Sequence, residues 1–298
     1  MNKALMRAYT ALILIFLYAP IFIMIFFSFN ESKSLSVFEG FSFRWYSELF
    51  ADTEVMAALK NTLILAILSA LISTVIGTAA AVGISKMKNR YLKATTLSVS
   101  NIPMMNPDIV TGISLALLFT FMMTMLGLTS MFGFWTVLIA HITFNLPYVI
   151  LSVLPKLRQM DKHLPEAALD LGCTPLQSFF RVELPAIMPG ILSGFLMAFT
   201  LSLDDFVISY FNAGEGFQTL PIVIYGMTKR TVTPDMYALS TLIFGTVLVL
   251  LVLSNVMSAR QENREARLAR KRSRQAAKSA KAASTPVTGT KKIEEVGK

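Results

Sequence analysis

Long apolar runs, each about one membrane thick, alternate along this chain with short clusters of Lys and Arg. A hydrocarbon core of about 30 Å takes roughly 20 residues at a helical rise of about 1.5 Å each. Six runs reach that length, at 8–29, 61–84, 94–126, 133–154, 186–208 and 237–257. They predict an all-α polytopic membrane protein whose six transmembrane helices occupy residues 1–258. The first run is too long for a cleaved signal of roughly 7 to 15 apolar residues, and no small-x-small site follows, so it is expected to stay as an anchor. The third run would be about 50 Å long if wholly helical, too long for one straight crossing, and Pro103 and Pro107 are natural kink points.

Charge fixes the expected orientation. The segments 1–7, 85–93 and 155–185 hold 10 Lys and Arg, whereas 30–60, 127–132 and 209–236 hold 5. Positive residues stay inside, so both termini are expected in the cytoplasm. Only 15% of residues are charged while 54% are apolar, against about 25% charged in a soluble domain. The tail 259–298 carries 12 basic and 4 acidic residues, which is nearly all of the net +9. It continues the sixth helix without an apolar stripe and ends in a Ser/Thr/Pro/Gly stretch. Contact with anionic lipid, at about 1 kcal/mol per basic residue, and a merely solvated tail both fit it. Nucleic acid does not, because no aromatic residues are interleaved. One Cys excludes an internal disulfide, and with two His it leaves too few ligands for a structural zinc.

The cytoplasmic segment 155–185, PKLRQMDKHLPEAALDLGCTPLQSFFRVELP, is punctuated like two short helices. Pro165 and Glu166 suit a first helical turn, and Gly172 suits a left-handed cap. Thr174 and Gln177 then form a capping box, with Pro175 at the first helical position. Leu176, Phe179 and Phe180 give the second helix an apolar stripe, and Leu184-Pro185 is expected to stop it. Cys173 reads as a buried thiol without chemistry.

Glu166-Ala167-Ala168, Gly172 and Leu184-Pro185 resemble the EAA loop of permease subunits of bacterial ABC importers. The resemblance implies the type I ABC importer permease fold, with this loop fitting a cleft on a separate ATPase subunit. A short rigid helix in a groove suits that lever action. No G-x-x-x-x-G-K-[ST] occurs, so ATP and Mg are expected on the partner ATPase; this chain is expected to carry no cofactor, metal or catalytic residue.

Three acids fall within the apolar runs: Asp108, Asp204 and Asp205. Facing lipid, each would cost several kcal/mol, so a polar interior or a substrate path is expected. Asp108 lies about 21 Å along a helix from Ala94, well inside the membrane, and Asp204 and Asp205 lie about 27 Å from Ala186, near the outer face. With Ser202 and Ser209 beside them, they suggest a ladder for a multiply charged amine, and a structural helix-to-helix bond is the competing reading. Trp45, Tyr46, Tyr210 and Tyr225 offer ring faces to ammonium groups at roughly 0.5–2 kcal/mol each, or serve as interfacial anchors. His141 and Asn145, four apart, line the same path or tie helices together.

The strings FSFRWYSELF, MMNPDIVTGISLALLF, HITFNLPYV, EAALDLG and FTLSLDDFVIS are similar to the C-type permease subunit of spermidine/putrescine importers, over about residues 8–258. This resemblance implies a second, different permease, an ATPase dimer and a periplasmic polyamine-binding protein as partners. Another organic cation is the alternative cargo. An ion-coupled secondary transporter is disfavoured by the absence of an inverted half-repeat, and an intramembrane aspartyl protease by NPDIV and LSLDD in place of G-x-G-D.

Overall fold

The computed structural model describes residues 3–32, 37–127, 132–161, 163–229 and 236–246, with 248, 249, 252 and 256 beyond them. The basic tail 259–298 and most of the far half of the sixth predicted span lie outside the described residues.

Helix α1 (Lys3–Phe27) buries none of its apolar stretch against the rest of the chain. After it, the chain folds back through a short bridge between Asn30 and Phe41 into α2 (Arg44–Ala51). Asp52 starts α3 (Thr53–Lys86) by accepting from the N–H groups of Glu54 and Val55. Asn89 does the same for α4 (Arg90–Met105), accepting from Tyr91 and Leu92. These caps satisfy backbone donors that the first helical turn leaves free.

The run 94–126 is not one kinked helix. It is α4 and then α5 (Asp108–Leu126), separated at Asn106-Pro107, and only α5 has the length and apolarity of a span. Pro107 forces the preceding residue into extended backbone, which ends α4 at Met105. Asp108 is therefore the first residue of a spanning helix rather than a mid-helix acid. Helix α6 (Phe134–Gln159) follows.

The coupling segment forms α7 (His163–Asp170) and α8 (Pro175–Ser178), joined through Gly172 at φ +85°. Leu184-Pro185 does not stop the second of these. A π-helical turn over Phe179–Glu183 carries α8 straight into α9 (Leu184–Asp204), giving one helical rod from Pro175 to Asp204. In that turn the Leu184 N–H reaches back five residues to the Phe179 carbonyl. The widened turn makes room for the Pro185 ring, which would otherwise press on the carbonyl four residues earlier. Cys173 is half-buried. Helices α10 (Val207–Asn212), α11 (Leu220–Thr228) and α12 (Met236–Thr246) complete the described residues.

Among the described residues five helices are long and apolar enough to cross a membrane. The core is the bundle of α3, α6 and α9, where Ala70, Ala81, Val149, Val153, Ile187 and Ala198 meet. Lipid supplies no hydrophobic drive between helices, so close backbone approach through small residues takes its place. A Cβ on Gly77 would lie 2.7 Å from Val149 Cγ1, and one on Gly190 would lie 2.9 Å from the Ser152 carbonyl oxygen. A backbone oxygen cannot swing away. Gly190→Ala is therefore expected to cost about 1–3 kcal/mol, seen as a lower Tm of the chain in detergent. Gly83→Ala, with nothing within 4 Å of the added carbon, is the control that keeps or raises it.

Candidate functional site

Helix α9 ends at Asp204, Asp205 is extended at ψ 122°, and α10 begins two residues later. Adjacent side chains on extended backbone point to opposite sides, so this break sends the two acids different ways. Asp204 reaches a cavity of about 330 Å³ whose walls include Thr62, Leu203, Pro221, Tyr225 and Thr228. Thr62 holds that wall together: its hydroxyl accepts from the Leu220 N–H at 2.8 Å and donates to the Ala58 carbonyl at 2.8 Å.

Tyr225, which shares the cavity wall with Asp204, belongs to a group of rings. Phe206 and Tyr225 centroids are 4.5 Å apart, Phe206 and Tyr210 are 5.3 Å apart, and Tyr210 and Tyr225 are 5.9 Å apart. The Lys229 ammonium sits 4.6 Å from the Tyr225 centroid. A primary ammonium thus already rests on a ring of this cavity's wall, within the range where a cation is drawn to the negative face of the π system.

Asp205 turns inward, with its side chain 7% exposed. It accepts from the backbone N–H groups of Ile208 at 3.3 Å and Ser209 at 2.8 Å, capping α10. His141 of α6, 1% exposed, brings Nε2 to 3.3 Å from Asp205 Oδ2 and to 3.0 Å from Ser209 Oγ. Its Nδ1 bonds Ser202 Oγ, which in turn lies 2.7 Å from Ser69 Oγ on α3. A carboxylate only accepts, so the bond to Asp205 needs a proton on Nε2, while Nδ1 and the Ser202 hydroxyl make the second bond. Four helices, α3, α6, α9 and α10, and the break are joined in one hydrogen-bonded chain. Asn145, also buried, makes no hydrogen bond through its amide in the described residues.

The proposed path residues therefore do not form one ladder. Asp108 is exposed at the start of α5, one turn before Gly112, whose carbonyl accepts from Asn212 of α10 at 3.2 Å. Ser202 and Asp205 are buried in the histidine network. Trp45 is 3% exposed and donates its indole N–H to the Asn30 carbonyl at 2.6 Å. Tyr46 bonds Ser28 through its hydroxyl at 2.8 Å and packs on Phe29. Both residues lie in α2, Trp45 with the Arg44 guanidinium already 5.3 Å from its ring centroid and Tyr46 half-buried. Of these three acids, Asp204 is the one that lines the cavity with Tyr225.

Between α6 and α9, Glu166 pairs with His163 at 3.1 Å in the first turn of α7, Ala167 is exposed and Ala168 is buried. Thr174 and Gln177 exchange both capping-box bonds. Ser178 donates to the Pro165 carbonyl at 3.3 Å, tying the two short helices together. Glu183, almost fully buried in the π turn, pairs with Lys86 at the end of α3 at 3.0 Å. Leu184 is half-buried and Pro185 exposed. The Lys86–Glu183 and His141–Asp205 pairs join residues far apart in the chain, and the sequence carries no local signal for either.

Residues 73–269 match the family described as binding-protein-dependent transport system inner membrane component. The chain is 40% identical over 250 residues to the putrescine transport system permease protein PotI of Escherichia coli, covering 84% of this chain and 89% of that protein. It is 34% identical to the spermidine/putrescine transport system permease protein PotC of Haemophilus influenzae, covering 87% and 98%. In structure it is similar to a bacterial ABC transporter involved in import of the acidic polysaccharide alginate, with a TM-score of 0.65 at 20% identity over 86% of this chain and 94% of that one. The MetNI methionine ABC transporter in an inward-facing conformation gives a TM-score of 0.55 at 18% identity over 70% and 96%. These likenesses establish the type I ABC importer permease fold, and by its match and its relatives the chain belongs to the inner membrane components of binding-protein-dependent transport systems.

Proposed function

We propose that the chain is the permease subunit of an ATP-driven importer that carries polyamines, spermidine or putrescine, into the cytoplasm. The observation that carries this reading is the wall at Asp204: a carboxylate and the Tyr225 ring on one otherwise largely apolar cavity, with a lysine ammonium already lodged on Tyr225. A primary amine is the chemical group that a polyamine presents several times over. The relatives named for putrescine and spermidine transport support the same cargo.

In this reading both termini lie in the cytoplasm. The chain works with a second, different permease, an ATPase pair that holds ATP and Mg, and a periplasmic polyamine-binding protein. It is not itself catalytic and has no nucleic acid partner. Glu166, Ala167, Ala168, Gly172, Leu184 and Pro185 belong to the element that meets the ATPase. Asp204 receives the cargo ammonium and Asp108 lies further along the route.

The test is uptake of labelled spermidine and putrescine into ATP-loaded right-side-out vesicles, with and without this chain. Uptake is expected only with it. Asp204→Asn removes the charge and keeps the shape, and is expected to raise KM about tenfold, as a lost charge-assisted contact of about 1.4 kcal/mol would do. Equal uptake of a neutral solute, or an unchanged KM, would count against the reading.

A further inference from the structure

We propose that His141 is a positioning residue: with Asp205 it clamps the α9–α10 break, and this clamp is what turns Asp204 toward the cation path. The two acids are neighbours in sequence and opposites in role.

The geometry commits most of Asp205's acceptor capacity to the protein itself. Oδ2 accepts from the Ser209 N–H at 2.8 Å and faces His141 Nε2 at 3.3 Å, while Oδ1 takes the Ile208 N–H at 3.3 Å. The carboxylate is enclosed by α6 and α10, and a cargo ammonium would first have to break bonds made in a site closed to water. His141 is held just as fully. Ser202, itself bonded to Ser69 of α3, holds it from the α9 side, and Ser209 and Asp205 hold it from the α10 side. The ring bridges the helix before the break and the helix after it. One peptide separates Asp204 from Asp205, so fixing one carboxylate inside fixes the direction of the other. Continuing the α9 helix through Asp205 would rotate the acids by about 100° per residue around the axis; the clamp opposes this at the break itself, while Thr136 on the Asn212 carbonyl and Ala140 and Phe144 against Ile208 hold α10 further along.

The proposal rests on Asp204 meeting a cationic cargo, so its test includes a readout that does not depend on cargo. In the assembled importer with Cys173→Ser, Asp204→Cys is labelled from the outside by a quaternary ammonium thiosulfonate. Labelling is compared among wild-type His141, His141→Leu, which keeps bulk without donors, and His141→Gln, whose amide N–H can still reach Asp205. His141→Leu is expected to slow labelling at least about fivefold, with His141→Gln close to wild type. Uptake of labelled spermidine then gives a double-mutant cycle with Asp204 intact. His141→Leu and Asp205→Asn are each expected to lower uptake about tenfold, and the pair together also about tenfold, not the roughly hundredfold of independent sites.

Multiplicative losses, or native labelling in His141→Leu, overturn the clamp. An Asp205→Asn that raises KM as Asp204→Asn does, with labelling at 204 unchanged, makes Asp205 a cargo ligand and overturns it too. If His141→Leu does not join the complex, Asp205→Asn carries the labelling arm, and unchanged labelling there overturns the proposal. Should spermidine prove not to be the cargo, uptake fails in every variant including wild type, while the labelling difference stands.

Discussion

Replacing both Leu171 and Leu176 by Glu is expected to release the ATPase subunit from this chain. These two side chains are 86% and 71% exposed, on either side of the Gly172 turn, and Leu164, Leu169 and Phe180 are exposed around them. The segment joins the C-terminal end of α6 to the N-terminal end of α9, on the side proposed to face the cytoplasm. An apolar patch on an ordered, capped turn, with the two helices tied by Ser178 to Pro165, marks a surface made to be covered. Burying one leucine is worth about 1.5–3 kcal/mol, so losing two removes about 3–6 kcal/mol before the new carboxylates add a desolvation cost. That is a weakening of roughly a hundredfold or more. Copurification of the ATPase with the tagged permease measures it directly. Because both positions are exposed, the permease should still insert and keep its own Tm. Undiminished copurification would mean that the ATPase grips some other surface.

Most of the scaffold is legible in the amino-acid pattern because lipid imposes the simplest of rules. Each long apolar run must satisfy its backbone internally, which leaves helix as the answer, and turn chemistry at Thr174, Gln177 and Gly172 is local enough to read residue by residue. Proline misleads in both directions. Pro107 divides a run into two helices, whereas Pro185, at which a helix should end, sits inside a continuous rod. The difference lies in the turn before it: a π turn gives Pro185 the room that an α turn denies, and no residue type announces a π turn.

The acids were harder to read for a related reason. Asp204 and Asp205 are one residue apart, and their fates depend on where α9 ends, which is set by His141 some sixty positions earlier. Trp45 has the composition of a cation seat and the position of a core residue, since its indole N–H meets the Asn30 carbonyl. Composition identifies groups able to bind an ammonium. Only packing decides which of them have a free face.

Deleting Val182 is expected to abolish coupled transport while leaving the chain inserted. The π turn over Phe179–Glu183 holds one residue more than an α turn needs, with Leu184 N–H bonded to the Phe179 carbonyl. Removing one residue closes it to an α turn and rotates everything before it by about 100° and shifts it by about 1.5 Å relative to α9. Helix α9 itself cannot follow, because Gly190 and Gly194 are locked against Ser152 and Val149 in the core. The rotation therefore falls on α8 and the docking turn. Phe179, 6.0 Å beneath the Lys86 ammonium, moves off it, and the Ser178 bond to Pro165 is lost. Glu183 lies after the deletion and keeps Lys86, so the base of the rod stays anchored. A rigid rod passes such a rotation on in full, and at the docking face it displaces groups by several ångströms, enough to cost over tenfold in uptake. The measurement is ATP-driven uptake against the amount of inserted chain. Val182→Ala separates geometry from side chain: it trims a half-buried residue without changing the turn, and should retain most activity. If the segment were a flexible tether, the deletion would be tolerated as well as the substitution; a loss confined to the deletion means that motion of the ATPase reaches the break at Asp204 through one continuous helix.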